Sequence, residues 1–422
     1  MPVTDIADTP GQLGHRLARM TGRNPDENHR SATPLELLFD LAFVVAFAQA
    51  GDQFAHLVAA GHILPGVVGF AFAVFGACWA WINFSWFSSA YDTDDWFYRV
   101  TTMVQMIGVV VFALGTPSFF QSLDEAGHVD NSVLLAGYVI MRVAMVAQWL
   151  RAARQDEARR RTALSYAFFV GTAQLGWVLL TLLDLPFGLF FPATVVLFVY
   201  EATGPVLAER KSSGTPWNAQ HIAERYGLLA IIALGEGVFG TVTAVSALVQ
   251  EQGWSTEAVL IVVAGVGLTF GLWWTYFIIP SAPVLARFRG KAYVWGYGHV
   301  LIYGAIAGTG AGLHVAAYVL EGHSEIGFVG AVVAVAVPVL VFSVALFVLH
   351  WYLVREFDPL HVGLFAGTVG MLVLAVVLAA QGVPLGWCLL VVTLSPAVVV
   401  VGYEALGHRH QAAMLERLTA GS

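Results

Sequence analysis

Several side chains in this sequence pair a chemically capable group with long apolar surroundings: Glu36, Asp40, Asn83, Arg142, His221, Glu224, Arg225, Glu236, Tyr276 and His299. Carboxylates, guanidiniums and imidazoles placed among apolar residues can take up or release protons, or hold an ion or a charged solute, because water does not compete for them. The first group opens Thr33-Pro34-Leu35-Glu36 and continues to Asp40. Thr33 as helix cap, Pro34 at the first helical position and Glu36 three after the cap make a capping box, which would by itself account for Glu36. Asp40 has no such role. It lies one turn beyond Glu36 on the same face, about 9 Å into a helix, where a charge needs a partner, a cavity or a proton.

The second group is His221-Ile222-Ala223-Glu224-Arg225, followed by Leu234-Gly235-Glu236-Gly237. At 100° per residue His221, Arg225, Ile232 and Glu236 share a helix face, so the stripe leads to Glu236 near the middle of a span. Glu236 is the strongest single candidate, against the plainer reading of an ion pair or an acid hydrogen-bonded to a neighbouring helix. Asn83 stands between Trp79 and Trp86, and Arg142 lies about 13 Å from the arginines that follow its span, too deep to reach water fully. Arg142 is therefore expected to find a carboxylate, with Asp40, Glu236 and Glu201 available; Glu201 and Glu404 also read as interfacial residues near their helix ends. His299 and His314 on one helix are more than about 20 Å apart and cannot share a metal directly.

The elements that position these residues follow from composition. The chain has 422 residues, 58% hydrophobic and 11% charged, with a mean hydropathy of +0.73. A soluble enzyme carries about a quarter charged residues, so this is a membrane protein. Cys78 and Cys388 both lie in apolar runs and exclude a disulfide-built secreted domain, and the net charge of −8 argues against a nucleic-acid partner. Apolar stretches long enough to cross a bilayer recur at about 34–57, 65–89, 99–119, 132–151, 163–183, 188–207, 222–247, 257–280, 297–319, 327–352, 360–380 and 385–407. The expected fold is an all-α polytopic bundle of about twelve transmembrane helices, with the apolar runs near Pro186 and Pro384 open to a re-entrant reading. Arg99, Arg151, Arg154, Arg159 to Arg161, Arg210, Lys211, Arg287, Arg289, Lys291, Arg355, Arg409 and Arg417 all fall at one end, which places both termini in the cytoplasm by the positive-inside rule.

Tyr200-Glu201-Ala202 at the end of the sixth span returns as Tyr403-Glu404-Ala405 at the end of the twelfth. This points to a 6+6 parallel duplication: a polar N-terminal tail at 1–32, a first repeat at 33–209, a connection at 210–220, a second repeat at 221–408 and a C-terminal tail at 409–422. Some transporters are built this way. No phosphate-binding loop, His-Glu-x-x-His motif or nucleophile elbow occurs, and Lys211 and Lys291 lie outside the spans, so no retinal-type Schiff base is indicated. No cofactor is called for, and a metal is left open.

Several spaced segments carry a family resemblance. Glu36-Leu37-Leu38-Phe39-Asp40-Leu41, Trp79-Ala80-Trp81-Ile82-Asn83-Phe84, the Asp92-Thr93-Asp94-Asp95 run with Arg99, Gln105-Met106, His221 to Glu236, Trp273-Trp274-Thr275-Tyr276-Phe277 and Tyr297-Gly298-His299 together resemble the bacterial low temperature requirement A (LtrA) family. One departure is Ile278, where the family pattern usually has an aspartate after the Tyr-Phe pair. The resemblance implies a multi-pass protein of the bacterial cell membrane; the family name records a growth phenotype and supplies no reaction. The residues themselves favour a secondary transporter or ion-coupled carrier of a small solute or ion, in contact with membrane lipid and of open oligomeric state. In that reading Asp40, Arg142, Glu224, Arg225 and Glu236 converge on one site with Asn83 on its wall. The alternatives are an intramembrane enzyme acting on a lipid or isoprenoid-like substrate, with Asp92, Asp94 and Asp95 at its opening, and a structural or sensory membrane protein.

Overall fold

The structure is a computed structural model that describes residues 17–27, 30–126, 128–211, 213–355 and 359–408. Arg409 and Arg417, and with them the C-terminal tail, lie outside the described residues. Every long apolar run becomes one helix: α1 (Pro34–Ala59), α2 (Ile63–Tyr91), α3 (Trp96–Asp124), α4 (Ser132–Gln155), α5 (Arg160–Leu182), α6 (Phe187–Glu209), α7 (Ala219–Gln252), α8 (Thr256–Phe277), the short α9 (Ser281–Arg287), α10 (Ala292–Leu320), α11 (Gly327–Val354), α12 (Pro359–Ala380) and α13 (Leu385–Gly402). Twelve spans are long and apolar enough to cross a membrane, and no strand occurs among the described residues. The runs around Pro186 and Pro384 are tight turns, each proline capping the helix that follows, so neither is re-entrant. Leucines and valines cover the outer faces of the helices, as lipid contact requires, while the interior collects aromatic rings and most of the polar side chains.

Helix packing rests on small residues. A methyl group on Gly115 or Gly137 would meet backbone of the facing helix at 2.1 or 2.2 Å, so α3 and α4 approach as closely as backbones allow. α7 and α10 do the same at Gly310, whose added Cβ would lie 2.4 Å from the Glu236 backbone. α1, α7 and α10 pack together, and Gly51 of α1 faces Ala311 of α10 on the turn that also carries Gly310.

The N-terminal segment before α1 is tied across the arginine-rich end of the bundle. Arg23 N–H donates to the Ala90 carbonyl, Gly22 N–H to Asp156, Met20 N–H to Gln155 and Ala32 N–H to Glu224. Asn218, the cap of α7, donates its side-chain amide to the carbonyls of Pro25 and Glu27. Residues 17–27 and 30–33 thus form a strap that touches α2, α4 and α7 before α1 begins.

Candidate functional site

The capping box at the start of α1 is present: Glu36 N–H donates to Thr33 and Thr33 N–H to the Glu36 carboxylate at 2.8 Å. The same carboxylate does more than cap. Its other partners come from α7, with His221 Nε2 at 3.1 Å and the Arg225 guanidinium at 2.9 Å, the latter out of line for a hydrogen bond. One turn deeper Arg225 grips Asp40 with two nitrogens, Nε to Oδ2 at 3.1 Å and Nη2 to Oδ1 at 2.5 Å. The Trp81 indole donates to Asp40 at 2.6 Å, and Arg225 also donates to Ser88 at 3.0 Å. None of Glu36, Asp40, His221 or Arg225 is exposed at all. Two carboxylates share one guanidinium, and the forked Arg–carboxylate pair fixes α1 against α7 in register.

Beside this network Arg30, on the strap, donates to the carbonyls of Ser88 and Ser89 near the end of α2, with the Ser88 bond at 2.7 Å and the Ser88 carbonyl also accepting from Asp92 N–H. A cation there complements the negative end of the helix dipole. Asp92 follows α2 and lies outside the spans. Burial, and then the negative charge of Glu36, push its carboxyl up to about 6, with Arg30 and Arg23 pulling the other way. Asp94 pairs with the exposed Arg99, and Asp95 caps α3 while pairing with Arg151. The aspartates of this loop are therefore committed to separate partners. Among the described residues no group of three His, Cys, Asp or Glu side chains is placed to hold a metal ion.

A second buried network sits between α4, α5 and α6. Glu201 accepts from Tyr138 at 2.6 Å, Gln174 at 3.0 Å, Trp177 at 3.3 Å and Arg142 at 3.4 Å, and Arg142 donates to the Tyr138 hydroxyl at 2.6 Å. Arg142 and Glu201 are both buried, so the expected carboxylate partner is Glu201, which is not interfacial: α6 runs on to Glu209. Asn83 faces this side. It donates to the Trp79 carbonyl and borders a gap of about 10 Å³ with Arg142 and Tyr166, room for about one water.

Glu236 differs from all of these. It lies about 16 Å along α7 from Arg225, is 4% exposed, and makes no hydrogen bond or ion pair among the described residues. The other buried carboxylates, Glu36, Asp40, Asp92, Asp156 and Glu201, each have a partner. His314, one turn beyond Gly310 on α10, also leaves its buried Nε2 unpaired and packs near Gly240, one turn beyond Glu236.

Tyr276 and His299 form a third pair. His299 Nδ1 lies 2.7 Å from the Trp295 carbonyl and must carry the proton, so Nε2 accepts the Tyr276 hydroxyl at 3.0 Å. Both line a partly open cavity of about 180 Å³ among α7, α8, α10 and α11, floored by the turn from Ile279 to Pro283 that leads into α9.

The structure thus brings together Glu36, Asp40, His221 and Arg225, and places Glu224 at the strap. It does not bring Arg142, Asn83 or Glu236 to them: the single convergent site expected from sequence is three separate places, because α4 packs against α3 and α5 while α1 packs against α7. Trp81, Ser88, Arg30, Tyr138, Gln174 and Trp177 were missed as parts of these networks. Tyr138 and Arg142, four apart on one helix, were the one available signal.

The family model of the bacterial low temperature requirement A protein (LtrA) matches residues 31–396. An uncharacterized protein of Rhizobium meliloti (strain 1021) is 25% identical over 310 residues, 69% of this chain and 70% of the relative. No solved structure matches. The chain belongs to the LtrA family, and its twelve apolar helices make it a multi-pass membrane protein.

Proposed function

We propose that this LtrA family member is a proton-coupled secondary carrier of a small solute, with Glu236 as the group that gains and loses the proton. The observation that carries this reading is that Glu236, buried midway along a span, has no hydrogen-bond or ion-pair partner among the described residues. A carboxyl group there is stable while it holds its proton and needs water or a counter-charge to release it, so its charge state is tied to opening of the helix packing around it. Close backbone contact of α7 and α10 at Gly310 is the packing that would have to change.

The reading takes the chain as two halves of like orientation, 33–209 and 221–408, joined by 210–220. α1 packs on α2 and α3, α3 on α4, α4 on α5, and α5 on α6; α7 packs on α8 and α10, α10 on α11, α11 on α12, and α12 on α13. The repeated neighbour order favours a duplication, although α13 packs closely on α8 without an equally close counterpart between α6 and α2. The arginine-rich end, with its strap, faces the cytoplasm in this reading. The Glu36/Asp40/Arg225 network joins the two halves there and acts as a closed latch. The enclosed networks alone would serve a structural or sensory protein equally well; the partly open cavity and Glu236 favour transport. The test is proton entry into liposomes holding the purified protein and a pH-sensitive dye, under an imposed pH gradient and with small solutes added. Solute-dependent proton entry that disappears in Glu236→Gln supports the reading. Entry that persists in Glu236→Gln, or no solute-dependent entry, contradicts it.

A further inference from the structure

The cavity around Tyr276 and His299 has walls that specify a ligand. Its lining is mainly apolar and aromatic, with Ala223, Phe277, Trp295 and Leu349; Ser281 and His350 are its polar members besides Tyr276 and His299, and it contains no aspartate, glutamate, lysine or arginine. A charged ligand would give up its water there with no carboxylate, ammonium or guanidinium to answer it. The volume of about 180 Å³ is close to that of an apolar protein cavity, about 150 Å³, known to admit benzene. The rings of Tyr276, Phe277 and Trp295 offer flat surfaces to a flat molecule.

Polarity sets the remaining requirement. The Trp295 carbonyl holds the His299 Nδ1 proton and Nε2 is taken by the Tyr276 hydroxyl, so neither imidazole nitrogen is left to serve a ligand. The Tyr276 oxygen, having given its proton to His299, keeps acceptor capacity toward the cavity. We infer that this cavity binds a small uncharged aromatic molecule bearing one hydrogen-bond donor, an O–H or N–H, which it presents to the Tyr276 oxygen. An aliphatic chain of the surrounding lipid lacks that donor and leaves the oxygen unpaired. As the identity of a carried solute this inference rests on the proposed transport; as a binding site it stands apart from it, and its test involves no proton flux.

The probes are phenol and anisole, the same ring with and without the donor. The full chain in lipid nanodiscs is titrated with each by equilibrium dialysis, with empty nanodiscs measuring partition into lipid. Phenol is expected to bind saturably above partition and anisole about five- to ten-fold more weakly, the value of one hydrogen bond. Tyr276→Phe should abolish this preference while leaving both molecules bound. Ala223→Phe, which fills the cavity, should remove saturable binding of both, with an unchanged unfolding midpoint showing that the variant is folded. Phenol binding no greater than lipid partition, equal affinity for anisole in the unaltered protein, or a preference that survives Tyr276→Phe would each overturn the inference. If proton entry fails the Glu236 test while phenol still binds as described, the transport reading falls and the site remains.

Discussion

Two stretches of α7, three turns apart, treat a carboxylate at depth in opposite ways. At Arg225 the helix supplies a guanidinium to two carboxylates of α1, and Trp81, Ser88 and His221 complete the shell. At Glu236 the helix supplies the carboxylate, and no hydrogen bond or ion pair among the described residues answers it. The first arrangement fixes charge in place and holds α1 and α7 in register. The second leaves charge dependent on a proton. The contrast sets an ion-paired end of α7 against the middle of the helix, where the proposed switchable group lies.

The difference can be broken most severely at Arg225. Arg225→Met leaves Glu36 and Asp40 buried without their cation, a loss of about 3–5 kcal/mol for breaking a buried pair. The expected result is loss of the folded protein, or a large drop in unfolding midpoint in detergent. If the midpoint is unchanged, the network is not what holds α1 to α7. Arg142→Met sharpens the comparison, because Glu201 keeps Tyr138, Gln174 and Trp177 as donors. A smaller cost, about 1–3 kcal/mol, is expected from the same thermal scans, and a loss equal to that of Arg225→Met would mean that hydrogen bonds do not compensate at this depth.

Asp92, at the rim of the Arg225 network, gives a smaller effect with a defined sign. Its carboxyl titrates at about 6 in the folded protein against an ordinary value of 3.8. Between those values the folded state holds more protons than the unfolded one, so stability falls as pH rises through this window. Asp92→Asn should flatten that decline in unfolding midpoints measured from pH 4 to pH 7. A slope identical to that of the unaltered protein would place the titration elsewhere. Glu236→Gln, which removes no ion pair, should change stability least, by about 1 kcal/mol or less; a collapse of the fold would reveal a partner for Glu236.

Much of this was legible in the sequence, for identifiable reasons. Glu36 and Asp40, and His221 and Arg225, are each four apart, so each pair had to share a helix face. Apolar length fixed the twelve spans, and proline and capping residues fixed several of their starts. What a single sequence does not carry is which helices are neighbours. Arg142 had three carboxylates at suitable depth, and only the packing of α4, α5 and α6 selects Glu201. The strap was read as a tail because many of its bonds use its backbone amides, such as Arg23 to Ala90, and even its Arg30 side chain meets backbone carbonyls, which leaves no pairing pattern in the sequence. The unpartnered state of Glu236 was equally hidden, since it depends on what every neighbouring helix fails to offer.

The most direct measurement is infrared spectroscopy of the protein in lipid as external pH is stepped, reading the carbonyl stretch of protonated carboxylic acids. With Asp92→Asn as background to remove the Asp92 carboxyl, a band that fades on alkalinisation, is missing in Glu236→Gln and is retained in Glu201→Gln is the required result. A spectrum in which Glu236→Gln leaves that band unchanged would show that Glu236 does not carry the exchangeable proton, and the assignment of a switchable group to the middle of α7 would be wrong.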